Sequence, residues 1–460
     1  MIKNKEKHKS KNKGITLIAL VITIIVLLIL AGVSIAMLTG QNGILTQAQR
    51  AKNETNSAAE NEAGRLDEYN NIINNYVNGV QIPQAVVPGN YYATDTDVQV
   101  GDNTVAIPGG ATVSNIPGEY EDVNEGFVIY ITNGEKITDW SDKETIQKTY
   151  DQFVWIPVDK DVAIIEEGKE ITGNDNVEKY ASLQNYITNT AEPTNKYPMA
   201  VRKTDGTYSG ILYDFEDGTN GVTVTPRDYT TTSSNREPDI VSSYDDSDTY
   251  NNGLFTKDTL QSEFKEMIEA VESKGGFWVG RYETSSMSSD SSDSNTVKIL
   301  KGSTNGINNV SWYRMYAQQK KYKSLKLTNS TNTRSSMIWG SQWSQILIWM
   351  KNEPNTSGGY YITNSVGMAN LGISGVNDGY SDTSNPAATG CFVVRNIYDL
   401  AGNIRDWTLE ANSNTDRVLF GGTYSTTSSG NARADSRSNS TPGYADPNYG
   451  SRSTLYVKGR

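Results

Sequence analysis

The segments NIYDLAGNIRDWTLE at 396–410 and RVLFGGTYS at 417–425 decide the reading of this chain. Each is a short run of β-forming residues broken by Gly, Asn or Asp, the punctuation of strands and tight turns. The same texture extends back to Val80, through DQFVWIPV at 151–158 and GFVIYIT at 126–132. Helical spacing interrupts it twice. In TKDTLQSEFKEMIEAVESKGG, residues Leu260, Phe264, Met267, Ile268 and Val271 fall on one face, and Gly275 and Gly276 stop the helix. Trp343, Ile346, Leu347 and Met350 mark a second helix. Two stretches, near 203–253 and 284–296, are poor in large apolar residues and read as exposed loops or insertions. The fold class that follows is α+β.

Composition removes most familiar chemistry. The 460 residues suffice for two or three domains with a sizeable core. The single cysteine, Cys391, excludes an intramolecular disulfide, a cysteine-pair redox site and a multi-cysteine zinc cluster. The single histidine, His8, lies in a basic tail, so the body has no imidazole for a triad, a metal or acid–base work. The formal net charge is −12, and residues 1–14 hold six Lys and one Glu, which leaves −17 for the remainder. That sign opposes nucleic-acid binding through phosphates.

The six lysines, Lys3 to Lys13, precede Gly14, after which Ile15 to Leu38 runs 24 residues without a charge. At about 1.5 Å per residue, such a helix spans a hydrocarbon layer of roughly 30 Å. The lysines hold its start in the cytoplasm and place the body outside, as a single-pass membrane protein of the cell surface. KNKGITLIALVITIIVLLILAGVSI resembles the leader and first helix of type IV prepilins. The resemblance implies cleavage between Gly14 and Ile15 by a prepilin peptidase, and other pilin subunits as partners. Two positions depart from it. Ile15 stands where pilins carry Phe or Met, and Ala19 where they carry a Glu that neutralises a neighbour's amine in an apolar filament core. A minor or tip pilin, or a lone membrane anchor, fits better than a major subunit. Helical spacing continues through Ala48, Ala51, Leu66, Tyr69, Ile73, Tyr76 and Val77, and Gly79 and Pro83 end it. This is read as a stalk.

A second resemblance covers Phe153 to Arg460. FVWIPV at 153–158, GGFWVGRYETS at 275–285, NNVSWYRMYA at 308–317, NIYDLAGNIRDWTLE and RVLFGGTYS stand in the order seen in the formylglycine-generating-enzyme/sulfatase-modifying family. SSMIWGSQWSQILIWMKN sits where that family has a helix. The resemblance implies a C-type-lectin-like fold. Its oxygenase branch uses a copper-binding cysteine pair and its ergothioneine-synthesising relatives a histidine-based iron site. This chain holds neither set, so the domain is expected to be no enzyme.

Other catalytic patterns are weak. SEFK at 262–265 matches S-x-x-K, yet no S-D-N or K-T-G partner accompanies it, and it lies on an amphipathic helix. Glu166–Glu167 and Asp245–Asp246 are acid pairs of a kind used in glycoside hydrolysis or calcium binding. DDSDTYNNG at 245–253 lacks EF-hand spacing; a structural calcium site and plain solvated loop charge are its two readings. Cys391 and the tryptophans at 155, 278, 312 and 407 read as core.

In the resembling fold, the segment after the GG motif forms a surface tolerant of extreme change, the ligand-binding face of retroelement-diversified variable proteins. Here it spans Thr423 to Tyr449, 27 residues, of which twenty are Ser, Thr, Tyr, Asn, Asp or Gly. All six types arise from an Asn codon by substituting its adenines, and they form a paratope-like alphabet. An AT-rich genome produces the same bias, as the 27 Tyr against 8 Phe suggest, so a diversified face, a fixed face and a plain loop all stay open. Expected ligand contacts are Tyr424, Ser425, Thr426, Thr427, Asp435, Asn439, Tyr444, Asp446, Asn448 and Tyr449. The resemblance makes Arg433, Arg437 and Arg452 braces of the last loop, and Asp399, Asn403, Asp406 and Trp407 the floor beneath the face.

The expected organisation is a prepilin-like leader (1–14), a transmembrane and stalk helix (15–78), a β-rich region (79–150) and a C-type-lectin-like domain (151–460). The expected function is a pilin-anchored binding protein for a protein or glycan ligand. A sulfatase-modifying enzyme and a purely structural minor pilin are the rivals.

Overall fold

The computed structural model describes residues 21–30, 52, 55, 83–160, 163–167, 197–218, 221–227, 237–238, 254–286, 297–301, 310–351, 362, 393–413, 415–423 and 433–459. Gly14, Ile15, Cys391, the 245–253 acidic run and Tyr424 to Thr427 lie outside them. The chain divides into two compact units, Met1–Ile82 and Pro83–Arg460. In the first, residues 21–30 are helical with exposed Val, Ile and Leu side chains, and residues 52 and 55 are helical. Among the described residues no helix is long and apolar enough to cross a membrane.

The second unit is a mixed α+β body, mostly sheet, organised on seven antiparallel strands. Their order across the sheet is Thr333–Met337, Ser453–Val457, Gly276–Gly280, Asp151–Pro157, Val128–Ile131, Ala111–Val113 and Tyr91–Tyr92. The two central strands are buried almost end to end, which is why FVWIP and GFWVG read as continuous rather than alternating apolar runs. Trp278 pairs with Trp155 across the register, their rings edge-on at 5.1 Å. The two glycines of GGFW have separate jobs. Gly275 closes the preceding helix with φ +74. Gly276 leaves room for Trp155, because a Cβ there would sit 2.4 Å from the Ile156 carbonyl oxygen and 2.5 Å from the Trp155 ring.

The helix Lys257–Lys274 buries Leu260, Phe264, Met267, Ile268, Ala270 and Val271, as its spacing predicts. At about 1.5–3 kcal/mol for each large apolar side chain, that buried face adds more than helix propensity does. Thr256 and Thr259 form a capping box at its start. Ser262 donates to the Asp258 carbonyl of its own helix at 2.7 Å and Lys265 lies 3.9 Å from Glu269, so the S-x-x-K pattern is ordinary helix surface. The second expected helix, Gly340–Lys351, is buried on nearly every face.

Three features differ from the sequence reading. The 203–253 stretch is not wholly loop: Tyr213–Gly218 and Gly221–Pro226 form a hairpin that buries Tyr213, Phe215, Val222 and Val224. Their alternation with Asp, Glu and Thr lowers the apolar content without removing the strand period. Likewise Ser285–Ser286 pairs with Val297–Lys298. A further helix, Trp312–Lys326, buries Trp, Tyr, Met and Gln side chains rather than a Leu/Ile stripe. Strands of the 79–150 region run in the same sheet as Asp151–Pro157, joined by a buried pair in which Arg281 meets Glu119 at 2.9 Å.

Candidate functional site

A four-stranded sheet carries the segment after the GG motif. Its order is Arg437–Ser440, Arg417–Phe420, Arg405–Ala411 and Tyr449–Ser451. The first two contacts are antiparallel; the last, Arg405↔Tyr449 to Trp407↔Ser451, is parallel. The parallel pairing brings Tyr449, at the end of that segment, against the start of the NIRDW motif. Residues alternate along Arg405–Ala411: Asp406 faces Arg452, while Arg405 and Trp407 share the other side, Trp407 fully buried and Arg405 partly exposed at the strand's start.

The core side is a buried polar knot. Arg452, fully buried, donates from Nε to Asp406 at 3.0 Å and from its Nη atoms to the Gly280 carbonyl at 3.2 Å and the Tyr398 carbonyl at 2.5 Å. Burial raises the Asp406 carboxyl to about 6, against the pull of Arg452. Glu283 lies beside it and accepts from the Asn403 side chain and, at 3.4 Å, from the Ile404 amide. Burial first, and the Asp406 charge second, push Glu283 well above the ordinary carboxylate range. Asp399 and Asn403 hold left-handed backbone, φ +55 and +51, the conformation Asn and Asp tolerate best among side-chain-bearing residues. The expected floor residues are therefore together. The Asp406 carboxylate faces Arg452, and among the described residues no His, Cys, Asp or Glu cluster is placed to hold a metal ion.

A second buried acid pair lies near the start of the Gly340–Lys351 helix. Glu237 accepts from the amides of Gly340 and Ser341, capping that helix from a distant loop. Burial, with the neighbouring Glu410 adding to it, raises Glu237 to about 8. Arg437 faces Glu410 at 3.4 Å and Asp214 at 3.8 Å, with its guanidinium over the Phe420 ring at 4.7 Å. Arg437 and Arg452 thus brace the segment against the core. Arg433 forks onto Asp435 two residues on.

The outer side is a polar rim. Asn439 is exposed on its strand; Tyr444 is 51% exposed, and few other large apolar side chains of this unit are. Asp446 shapes the turn by accepting from the Asn448 amide and side chain, both at 2.8 Å, and from the Tyr444 hydroxyl at 3.3 Å. Rings step outward from the core: Trp407 meets Tyr449 edge-on at 5.4 Å, and Tyr449 meets Tyr444 at 6.0 Å. Asp435 is less available than the sequence implies, its side chain largely buried against Arg433. Arg405, which motif reading passed over, emerges half-buried beside Tyr449. Only its place in the NIRDW strand, one residue before Asp406, marks it in the sequence.

No protein-family model matches the chain, and no curated protein matches it. Among solved structures it is similar to CarF, at 14% identity over 40% of this chain and 87% of that one, with a TM-score of 0.27. Treponema denticola variable protein 1 is 16% identical over 40% of this chain and 85% of its own, with a TM-score of 0.27. PvdO from Pseudomonas aeruginosa is 12% identical over 40% and 82%, at 0.25. TM-scores this low do not bear on fold or function.

Proposed function

We propose that residues 83–460 are a non-catalytic ligand-binding domain of the C-type-lectin-like kind, held at the outer cell surface by a prepilin-like N-terminal segment. The observation that carries the reading is a division within one sheet. Arg437, Arg452, Trp407 and Asp406 fix the strands from inside, while the rim from Ser438 to Tyr449 presents Asn, Ser, Thr, Tyr and Asp. A rigid frame under short polar and tyrosine side chains is the arrangement of a binding surface whose residues change without unfolding it. The ordered motifs from Phe153 to Arg460 support the lectin-like assignment. The lysines before Gly14 and the uncharged run after it support the anchor.

Scrambling the exposed rim positions of the full-length protein, with Arg437 and Arg452 kept, tests the reading on glycan and protein arrays. Loss of binding with an unchanged thermal transition is expected. A scrambled protein that binds as before refutes it, and stoichiometric copper or iron with oxygen consumption would establish the sulfatase-modifying rival instead. Substitutions concentrated at adenines of codons 423–449 across one population would show that the face is diversified.

A further inference from the structure

Arg281, Arg433, Arg437 and Arg452 each face a carboxylate at ion-pair distance. Arg405 does not: among the described residues no carboxylate pairs with it, and the titratable group that acts on it is the Tyr449 hydroxyl. Burial lowers its pKa, with the Tyr449 hydroxyl acting against that shift. Its position is set by backbone on both flanks. It is the register partner of Tyr449, and its amide donates to the Asn448 carbonyl at 2.8 Å. The side chain therefore stands beside Tyr449, whose ring meets that of Tyr444 at 6.0 Å, on the side of the strand away from the Asp406–Arg452 knot.

We propose that Arg405 is the anion-recognising centre of the rim, and that the ligand is an acidic sugar, a pyranose carrying a carboxylate; this rests on the rim being the binding face. A guanidinium fork matches a carboxylate with two parallel hydrogen bonds. Tyr444, half exposed, offers a flat ring for the C–H face of a pyranose. Thr441 and Asn448, in the same turn segment, add short donors and acceptors suited to hydroxyls. A protein ligand fits less well, because protein interfaces draw their affinity from several large anchors in desolvated pockets. Of the described rim residues, Tyr444 is the one exposed aromatic side chain.

Full-length protein in detergent micelles is titrated with an oligosaccharide ending in glucuronic acid, the same chain ending in glucose, and an aspartate-containing peptide of equal charge. The acidic sugar is expected to bind at least about tenfold tighter than the neutral one. Arg405→Gln removes that preference and Arg405→Lys keeps part of it, while Tyr444→Ala weakens both sugars alike. The inference is overturned by equal binding of the two sugars, by an unaffected R405Q, by preference for the peptide, or by no acidic-sugar binding up to about 10 mM. A ligand lost on rim scrambling but kept by R405Q would leave the rim as the binding face and remove only the acidic sugar. Binding that survives both changes removes both.

Discussion

Replacing Glu237 by glutamine should change how stability depends on pH, with a sign fixed by its surroundings. Glu237 is 3% exposed and its carboxyl is raised from 4.5 to about 8, by burial first and by Glu410 among the charges. The folded state thus holds a proton that the unfolded chain has released between those two values. Stability from this group is present below about pH 4.5, falls as pH rises, and levels off above about 8. At about 1.4 kcal/mol per pH unit, the full loss is about 5 kcal/mol. Glutamine cannot ionise, so this loss is absent in the variant. It keeps one acceptor for the Gly340 and Ser341 amides, and surrendering the other costs about 1 kcal/mol at every pH. Asp406 and Glu283 titrate in the same direction but are present in both proteins, and cancel from the comparison. Urea unfolding followed by tryptophan fluorescence at pH 5, 7 and 9 measures the effect. E237Q should be slightly weaker than wild type at pH 5 and stronger at pH 9. Two parallel stability–pH curves would refute the reasoning.

Asp95→Asn should lower the urea midpoint by the equivalent of about 2–4 kcal/mol, since Asp95 accepts from Gly109, Ser330, Thr331, Asn332 and Thr333 and ties that turn to the first strands. Those bonds hold Asp95 below 3.8 despite burial, so the difference between wild type and D95N should shrink as acid titrates the folded group. Gly276→Ala forces a methyl onto backbone and the Trp155 ring; a loss of about 3 kcal/mol or more in calorimetric stability is expected, and a silent substitution would contradict the packing. Arg452→Lys keeps the charge but not the fork that reaches Asp406, Gly280 and Tyr398 together, and should cost about 3 kcal/mol by urea unfolding.

The elements that could be read from sequence are those whose signal is local. Phe264, Met267 and Val271 repeat at helical spacing, Gly275 ends the helix, and Trp155 and Trp278 sit in unbroken apolar runs, so this helix and these two strands followed directly. The Tyr213–Pro226 hairpin was obscured because its four buried residues alternate with acids and threonines. Long-range partners were not legible. Nothing around Glu237 shows that its carboxylate caps a helix 103 residues on. Nothing in NIRDW shows that Arg405 stands beside Tyr449, because that juxtaposition is made by a parallel strand pairing. The arginines illustrate the same limit: a motif position marks Arg437 but not that it faces Glu410 and Asp214.

Strand Ser453–Val457 lies inside the seven-stranded sheet, between Thr333–Met337 and Gly276–Gly280, yet it is translated after the whole rim. A single Arg452 separates it from Tyr449–Ser451, which belongs to the other sheet. Any error that shifts the reading frame within codons 423–449 therefore garbles the strand that closes the main sheet, and the product cannot fold. Codon substitutions in the same interval leave that strand intact. The molecule is thus its own filter: changes of side chain at the rim leave a chain that can still close its main sheet, and changes of frame are discarded by misfolding.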